Sequence, residues 1–193
     1  IESIGALILA WEFSKEMPFD KALFFGVFHS VSAFCNAGFA LFSTNLEAYK
    51  ANPVINLTIA YLITLGGIGF AVISSVIMVI RRGIDRFNLT SKVAIIISMI
   101  LTFGGMIVFF VLEYSNPATL GDLNFFQKIL ASYFQSVTLR TAGFNTIPLQ
   151  DLRAATIFIC CILMFIGASP GSTGGNILYA GGFLVTDILA ENY

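Results

Sequence analysis

Two segments of this chain run into the same tripeptide, Ala-Gly-Phe. One is Phe28-His29-Ser30-Val31-Ser32-Ala33-Phe34-Cys35-Asn36-Ala37-Gly38-Phe39; the other is Phe134-Gln135-Ser136-Val137-Thr138-Leu139-Arg140-Thr141-Ala142-Gly143-Phe144. The chemistry such a segment could do is the binding of a dehydrated cation. The ion's water oxygens must be replaced, and backbone carbonyls replace them when consecutive residues aim several C=O groups at one axis. Glycine reaches positive φ at little steric cost, which makes such a run possible at Gly38 and Gly143. A single glycine says little, because glycines also serve turns and close helix packing, the role read for Gly66, Gly67, Gly69, Gly104 and Gly105. The recurrence of helix, Ala-Gly-Phe and following apolar run points to an ion pore.

The elements that would hold these loops are membrane elements. The 193 residues are 57% hydrophobic and 11% charged, with a mean hydropathy of +0.88. That is too much apolar surface for one soluble core. A net charge of -1 supplies no field to attract nucleic acid, so no nucleic-acid partner is expected. Cys35, Cys160 and Cys161 read as small buried hydrophobes. Residues 4–11 read as the tail of a truncated helix, which makes the sequence an internal piece of a longer protein. Two stretches, 54–80 and 93–112, meet the roughly 20 apolar residues a span needs. The first opens on Asn52-Pro53, a cap followed by proline at the first helical position.

Residues 81–92, Arg81-Arg82-Gly83-Ile84-Asp85-Arg86-Phe87-Asn88-Leu89-Thr90-Ser91-Lys92, form a basic loop that the positive-inside rule places in the cytoplasm. Both Ala-Gly-Phe loops then lie on the extracellular side. The chain divides into a pore repeat at 1–80 with its first helix truncated, the loop 81–92, and a second pore repeat at 93–193 with a broken second helix. The stretches 19–34 and 125–139 are too short to cross, and read as re-entrant pore helices with Asp20 and Asn124 near their starts. Interfacial helices lying flat are the alternative, which the lack of a strong polar face disfavours.

A third segment is Gly167-Ala168-Ser169-Pro170-Gly171-Ser172-Thr173-Gly174-Gly175-Asn176, lying between apolar runs at 154–166 and 177–190. Neither run is long enough to span comfortably, so together they make one broken transmembrane helix. A loop at that break, below a filter, could obstruct the pore and move aside as a gate. An ordinary loop outside the membrane is the alternative. The segment also matches G-x-S-x-G, the nucleophile elbow of hydrolases. A serine nucleophile needs a base, and the one histidine, His29, lies in a presumed pore helix and reads as a packing residue. A phosphate loop is excluded because the Gly-Lys-Ser/Thr ending is absent. One histidine without clustered carboxylates assembles no metal-ligand set, and the chain is not expected to be an enzyme.

These residues, with Leu112-Glu113-Tyr114-Ser115-Asn116-Pro117, Arg140-Thr141-Ala142-Gly143-Phe144-Asn145 and Met164-Phe165-Ile166-Gly167 leading into the Gly/Ser-rich segment, closely resemble the bacterial Ktr/Trk potassium transporters. The resemblance is strongest to the membrane subunit of the Ktr systems, in order and over nearly the whole chain. It implies an all-α membrane protein built of helix, re-entrant pore helix, filter loop and helix, potassium-channel-like, with four such repeats in the full chain, of which this sequence covers roughly the second and third. Asn36, Ala37 and Gly38 would form one wall of a potassium filter, Thr141, Ala142 and Gly143 another, and residues 167–176 the intramembrane gating loop.

Proteins of that family bind no cofactor in this subunit, carry potassium as substrate, and in many cases use sodium as coupling ion. They work as homodimers in the bacterial cell membrane on a cytosolic ring of nucleotide-binding regulatory subunits. Two departures stand out. Cys35 replaces a residue that is often polar, and after Gly175 the resemblance fades. Arg140, a cation beside a cation path, is expected to hold the loop from behind through carbonyl contacts, or else to shift ion occupancy. Sodium or mixed-cation permeation, and a non-conducting membrane assembly fragment, are the competing functional readings.

Overall fold

A computed structural model of the chain describes residues 1–82, 89–169 and 171–174. Its helices are α1 (Glu2–Phe13), α2 (Phe19–Phe34), α3 (Pro53–Gly67), α4 (Phe70–Arg82), α5 (Leu89–Glu113), α6 (Phe125–Thr138) and α7 (Ala154–Ile166). Both expected pore helices are therefore present, α2 with the expected bounds and α6 ending one residue early.

Helix α1 packs along α2 because Gly26 has no side chain: a Cβ there would lie 2.6 Å from the Ala6 carbonyl oxygen and 2.7 Å from the Ala10 nitrogen. Ser30 Oγ adds a hydrogen bond to the Glu2 carbonyl at 2.8 Å. Backbone atoms cannot withdraw, so a branched residue must part the helices. Gly26→Val is expected to lower the detergent-phase unfolding midpoint of the full-length protein, with overpacking costing about 1–3 kcal/mol. An unchanged midpoint would contradict this packing.

Asn52 caps α3 as its sequence suggests, its Oδ1 accepting from the Val54 and Ile55 N–H groups at 3.0 and 3.2 Å, with Pro53 at the first position. The single span expected over 54–80 is corrected. Helices α3 and α4 meet at a bend of 99°, at Gly69 with φ +93°. Of the glycines read as turn or close-packing residues, Gly69 permits the break, because it takes a left-handed conformation that other residues rarely adopt. The carbonyls of Gly66 and Gly67 leave the helix ladder and accept from Thr173 and Ser169 N–H groups at 3.2 and 3.0 Å. Among the described residues, Ser91–Glu113 is the one unbroken helix long and apolar enough to cross a bilayer. Its Ile96, Ile100, Phe103, Ile107 and Val111 form an exposed apolar stripe at helical spacing. Such a stripe suits lipid or further protein and not water.

Each repeat closes with an acid. Glu12, near the end of α1, accepts from the Asn52 side chain at 3.2 Å and from Lys15 at 2.7 Å. Glu113, at the end of α5 and fully buried, accepts from Asn116 Nδ2 at 2.6 Å, Thr119 Oγ1 at 2.7 Å and the Arg153 N–H at 3.0 Å, and also from Thr156 Oγ1. In both cases the end of the first helix is tied to the start of the last. Two apolar clusters lie beneath. One gathers Leu9, Phe13, Leu46, Ile59 and Leu62 with Phe134, Val137 and Phe144 of the second repeat; the other holds Phe109, Leu120, Ala131, Leu139, Ile147 and Leu163. The expected burial of all three cysteines holds only for Cys160, since Cys35 and Cys161 are exposed on the described surface.

Candidate functional site

Helices α2 and α6 each run out into a loop with the same unusual backbone. Asn36 and Gly38 have φ of +52° and +70°; Thr141 and Gly143 have +98° and +81°. In both copies the glycine and the residue two before it are left-handed, while the alanine between them is not. Alternation of hand flips successive peptide planes, so that consecutive carbonyls can face one side, as a dehydrated ion requires. Threonine at positive φ is strained. Thr141 is held by its surroundings, its hydroxyl 3.5 Å from Asn36 Oδ1.

A hydroxyl from the last turn of each helix closes its loop. Ser32 Oγ donates to the Phe39 carbonyl and Thr138 Oγ1 to the Phe144 carbonyl, each at 2.8 Å. Backbone turns reinforce them, from Ala37 N–H to the Ser32 carbonyl at 2.9 Å and from Ala142 and Gly143 N–H to the Thr138 carbonyl at 3.0 and 3.1 Å. Sequence reasoning missed both hydroxyls. The signal available was a Ser or Thr in the last helical turn before each Ala-Gly-Phe.

The two loops lie against each other. A Cβ on Gly38 would fall on the Ala142 carbonyl oxygen and 3.0 Å from the Gly143 Cα. Ala37 and Gly143 are exposed, Gly38 and Thr141 partly so, and Asn36 and Ala142 buried. All six sequence-predicted residues are thus brought into one place. Beyond them the chains are cross-braced: Leu46 N–H donates to the Asn145 carbonyl at 3.0 Å, Asn145 N–H to Asn45 Oδ1 at 3.3 Å, and Asn145 Nδ2 to Glu47 Oε1 at 2.8 Å.

His29 is fully buried, with Nδ1 2.7 Å from the Phe25 carbonyl and Nε2 accepting the Leu41 N–H at 3.3 Å. Those partners fix a neutral ring with the proton on Nδ1. The ring ties α2 to the chain beyond the loop and is not available as a base for Ser169. Arg140 reaches behind its loop to α5, donating to Ser98 Oγ at 3.3 Å and Thr102 Oγ1 at 2.6 Å. Two of its partners are thus hydroxyls of α5.

The described part of the candidate gate is docked against the end of α2, the first loop and the α3–α4 break. Gly167 and Gly171 take φ of +74° and +69°. The Gly171 carbonyl accepts from Phe70 N–H at 3.2 Å. Thr173 Oγ1 donates to the Phe34 carbonyl at 2.8 Å and accepts from Asn36 Nδ2 at 2.9 Å. Gly174 sits against the Thr141 hydroxyl and Ala168, leaving no room for a side chain. Pro170, Gly175 and Asn176, like the apolar run at 177–190, lie outside the described residues.

Lipid-suited helices, paired short helices and loops of alternating hand make this an all-α membrane protein of repeated helix, pore helix, loop and helix. The chain belongs to the TrkH family of cation transport proteins, which it matches over residues 7–179. It is 44% identical over 177 residues to Ktr system potassium uptake protein B of Bacillus subtilis and 39% identical over 176 residues to the protein of the same name from Vibrio alginolyticus. It is 36% identical over 177 residues to potassium/sodium uptake protein NtpJ of Enterococcus hirae. These matches cover 91–92% of this chain and 39% of each relative, so the chain spans about two fifths of their length. The crystal structure of the potassium transporter TrkH from Vibrio parahaemolyticus superposes with a TM-score of 0.72 at 19% identity, over 96% of this chain and 37% of that one, which is a likeness of fold. The family points to transport and not to catalysis.

Proposed function

We propose that the full protein takes up potassium across the cell membrane through a carbonyl-lined filter, to which Asn36, Ala37 and Gly38 contribute one wall and Thr141, Ala142 and Gly143 another. The observation that supports this most is the matched left-handed pair in each loop, at 36 and 38 and at 141 and 143. The segment 167–176 acts as the gate, a reading favoured by the contacts of its described part with Asn36 and Thr141. Potassium channels surround the ion with four such segments, and this chain supplies two, so transport belongs to the complete protein. The filter loops face outward and the basic residues of 81–92 face the cytoplasm.

The relatives' names speak of a Ktr system, in keeping with assembly with other subunits. We place a second copy and a cytosolic nucleotide-binding ring among the partners. Sodium enters as coupling ion; its permeation is the second reading, favoured by the potassium/sodium name of the Enterococcus relative.

Rubidium uptake by the full protein, in cells lacking their own potassium uptake and in sodium medium, tests the filter. Gly143→Ser forces a side chain into left-handed backbone at a cost of roughly 1–2 kcal/mol, so the apparent KM should rise about 5- to 30-fold. Absent uptake, or an unchanged KM at normal membrane levels, would reject the filter and favour an assembly role.

A further inference from the structure

We infer that Thr173 is a positioning residue of the filter, so that the loop carrying it supports the first filter wall as well as obstructing the path. Thr173 lies far from that wall in sequence, yet its side chain makes two of the wall's shortest contacts. Its hydroxyl donates to the Phe34 carbonyl at 2.8 Å. That carbonyl belongs to the last residue of α2, where helix geometry leaves C=O groups without intrahelical donors. Thr173 Oγ1 also accepts from Asn36 Nδ2 at 2.9 Å. Asn36 is buried and carries the left-handed φ of +52° on which the carbonyl alternation depends. Its other amide contacts are long, 3.4 Å to the Phe34 carbonyl and 3.5 Å to the Ile63 carbonyl, at the edge of useful hydrogen-bond geometry.

The backbone of Thr173 is fixed independently, through its N–H to the Gly66 carbonyl at 3.2 Å. That carbonyl is free to accept because α3 breaks there. A Cβ on Gly66 would meet the Phe34 carbonyl, so the broken helix, the end of α2 and the loop occupy one tightly filled place. Thr173 thus joins α2 and Asn36, through its hydroxyl, to the α3–α4 break, through its N–H.

If this loop swings away, Phe34 and Asn36 lose that partner together, and the wall loses what holds its hand. Loop position and ion affinity are then linked quantities. By reciprocity, an ion that binds better to the supported wall favours the docked loop by the same factor.

This inference rests on the potassium-filter reading, and its test keeps the two apart. In the full-length protein, Thr173→Val keeps the shape and deletes the hydroxyl; Thr173→Ser keeps the hydroxyl. Loss of one hydrogen bond should raise the rubidium KM about 2- to 10-fold and reduce discrimination of rubidium against sodium, with Thr173→Ser returning both toward native values. A loop that merely obstructs would change maximal rate with KM and discrimination unaltered, and that result overturns the inference. Should Thr173→Val not reach the membrane, Thr173→Ala removes the same hydroxyl without bulk, read as the rubidium concentration giving half-maximal thermal stabilisation in detergent. An unaltered half-saturation point there overturns it equally. Gly143→Ser without effect on rubidium affinity would reject the filter itself; a Gly143 effect beside a silent Thr173→Val rejects only the role of Thr173.

Discussion

Gly38→Ala in the full-length protein is expected to abolish saturable rubidium uptake, while Gly143→Ala raises KM without abolishing it. Both glycines are left-handed, at φ +70° and +81°, so each substitution carries a strain of roughly 1–2 kcal/mol. The surroundings differ. Around Gly143 a Cβ would find only the Gly38 Cα at 3.8 Å, ordinary contact. At Gly38 it would fall on the Ala142 carbonyl oxygen, which sits on backbone that cannot rotate aside as a side chain could. The displaced oxygen belongs to the second loop, so one methyl group on the first disturbs the backbone of both. Uptake assays at matched membrane levels decide the matter; equal effects at the two positions would mean that the loops do not touch as described.

A comparable asymmetry is expected between the two closing acids. Glu113→Ala should sharply destabilise the full protein, and Glu12→Ala much less. Glu113 is fully buried and answers two threonine hydroxyls, one amide and one backbone N–H. Removing it strands donors away from water, at about 1–3 kcal/mol for each that finds no substitute. The loss should therefore amount to several such terms. Glu12 is partly exposed and answers Asn52 and a largely exposed Lys15, so water can replace what it provides. Glu113→Gln should fall between, since its amide keeps one acceptor oxygen. Unfolding midpoints in detergent give the ranking, and a Glu113→Ala protein as stable as the native one would show that the network is not closed as described.

Much of this architecture is legible in the residues. The lengths of 19–34 and 154–166, each bounded by Pro, Gly or polar turns, give α2 and α7 with the bounds found. The two loops are legible as a matched pair because Ala-Gly-Phe recurs after a short apolar helix, and both copies carry the same left-handed pair. The break between α3 and α4 is not, because hydropathy counts Gly66, Gly67 and Gly69 as apolar and sees an uninterrupted span. What makes the break tolerable is distant: the N–H groups of Ser169 and Thr173, which take up the freed carbonyls. Thr173 itself reads only as part of a Gly/Ser-rich run. Its grip on Phe34 joins residues 139 apart, and no local pattern announces such a contact. Arg140 is conspicuous for its charge, while Ser98 and Thr102, to which it donates, lie on a helix whose sequence reads simply as a span.

The apolar cluster under α1, α2 and α3 borrows Phe134, Val137 and Phe144 from the second repeat. A repeat cut out by itself would leave those rings and their pocket bare. The period written in the sequence is therefore not a period of packing: the halves resemble one another as copies, yet the core of the first is completed by side chains of the second.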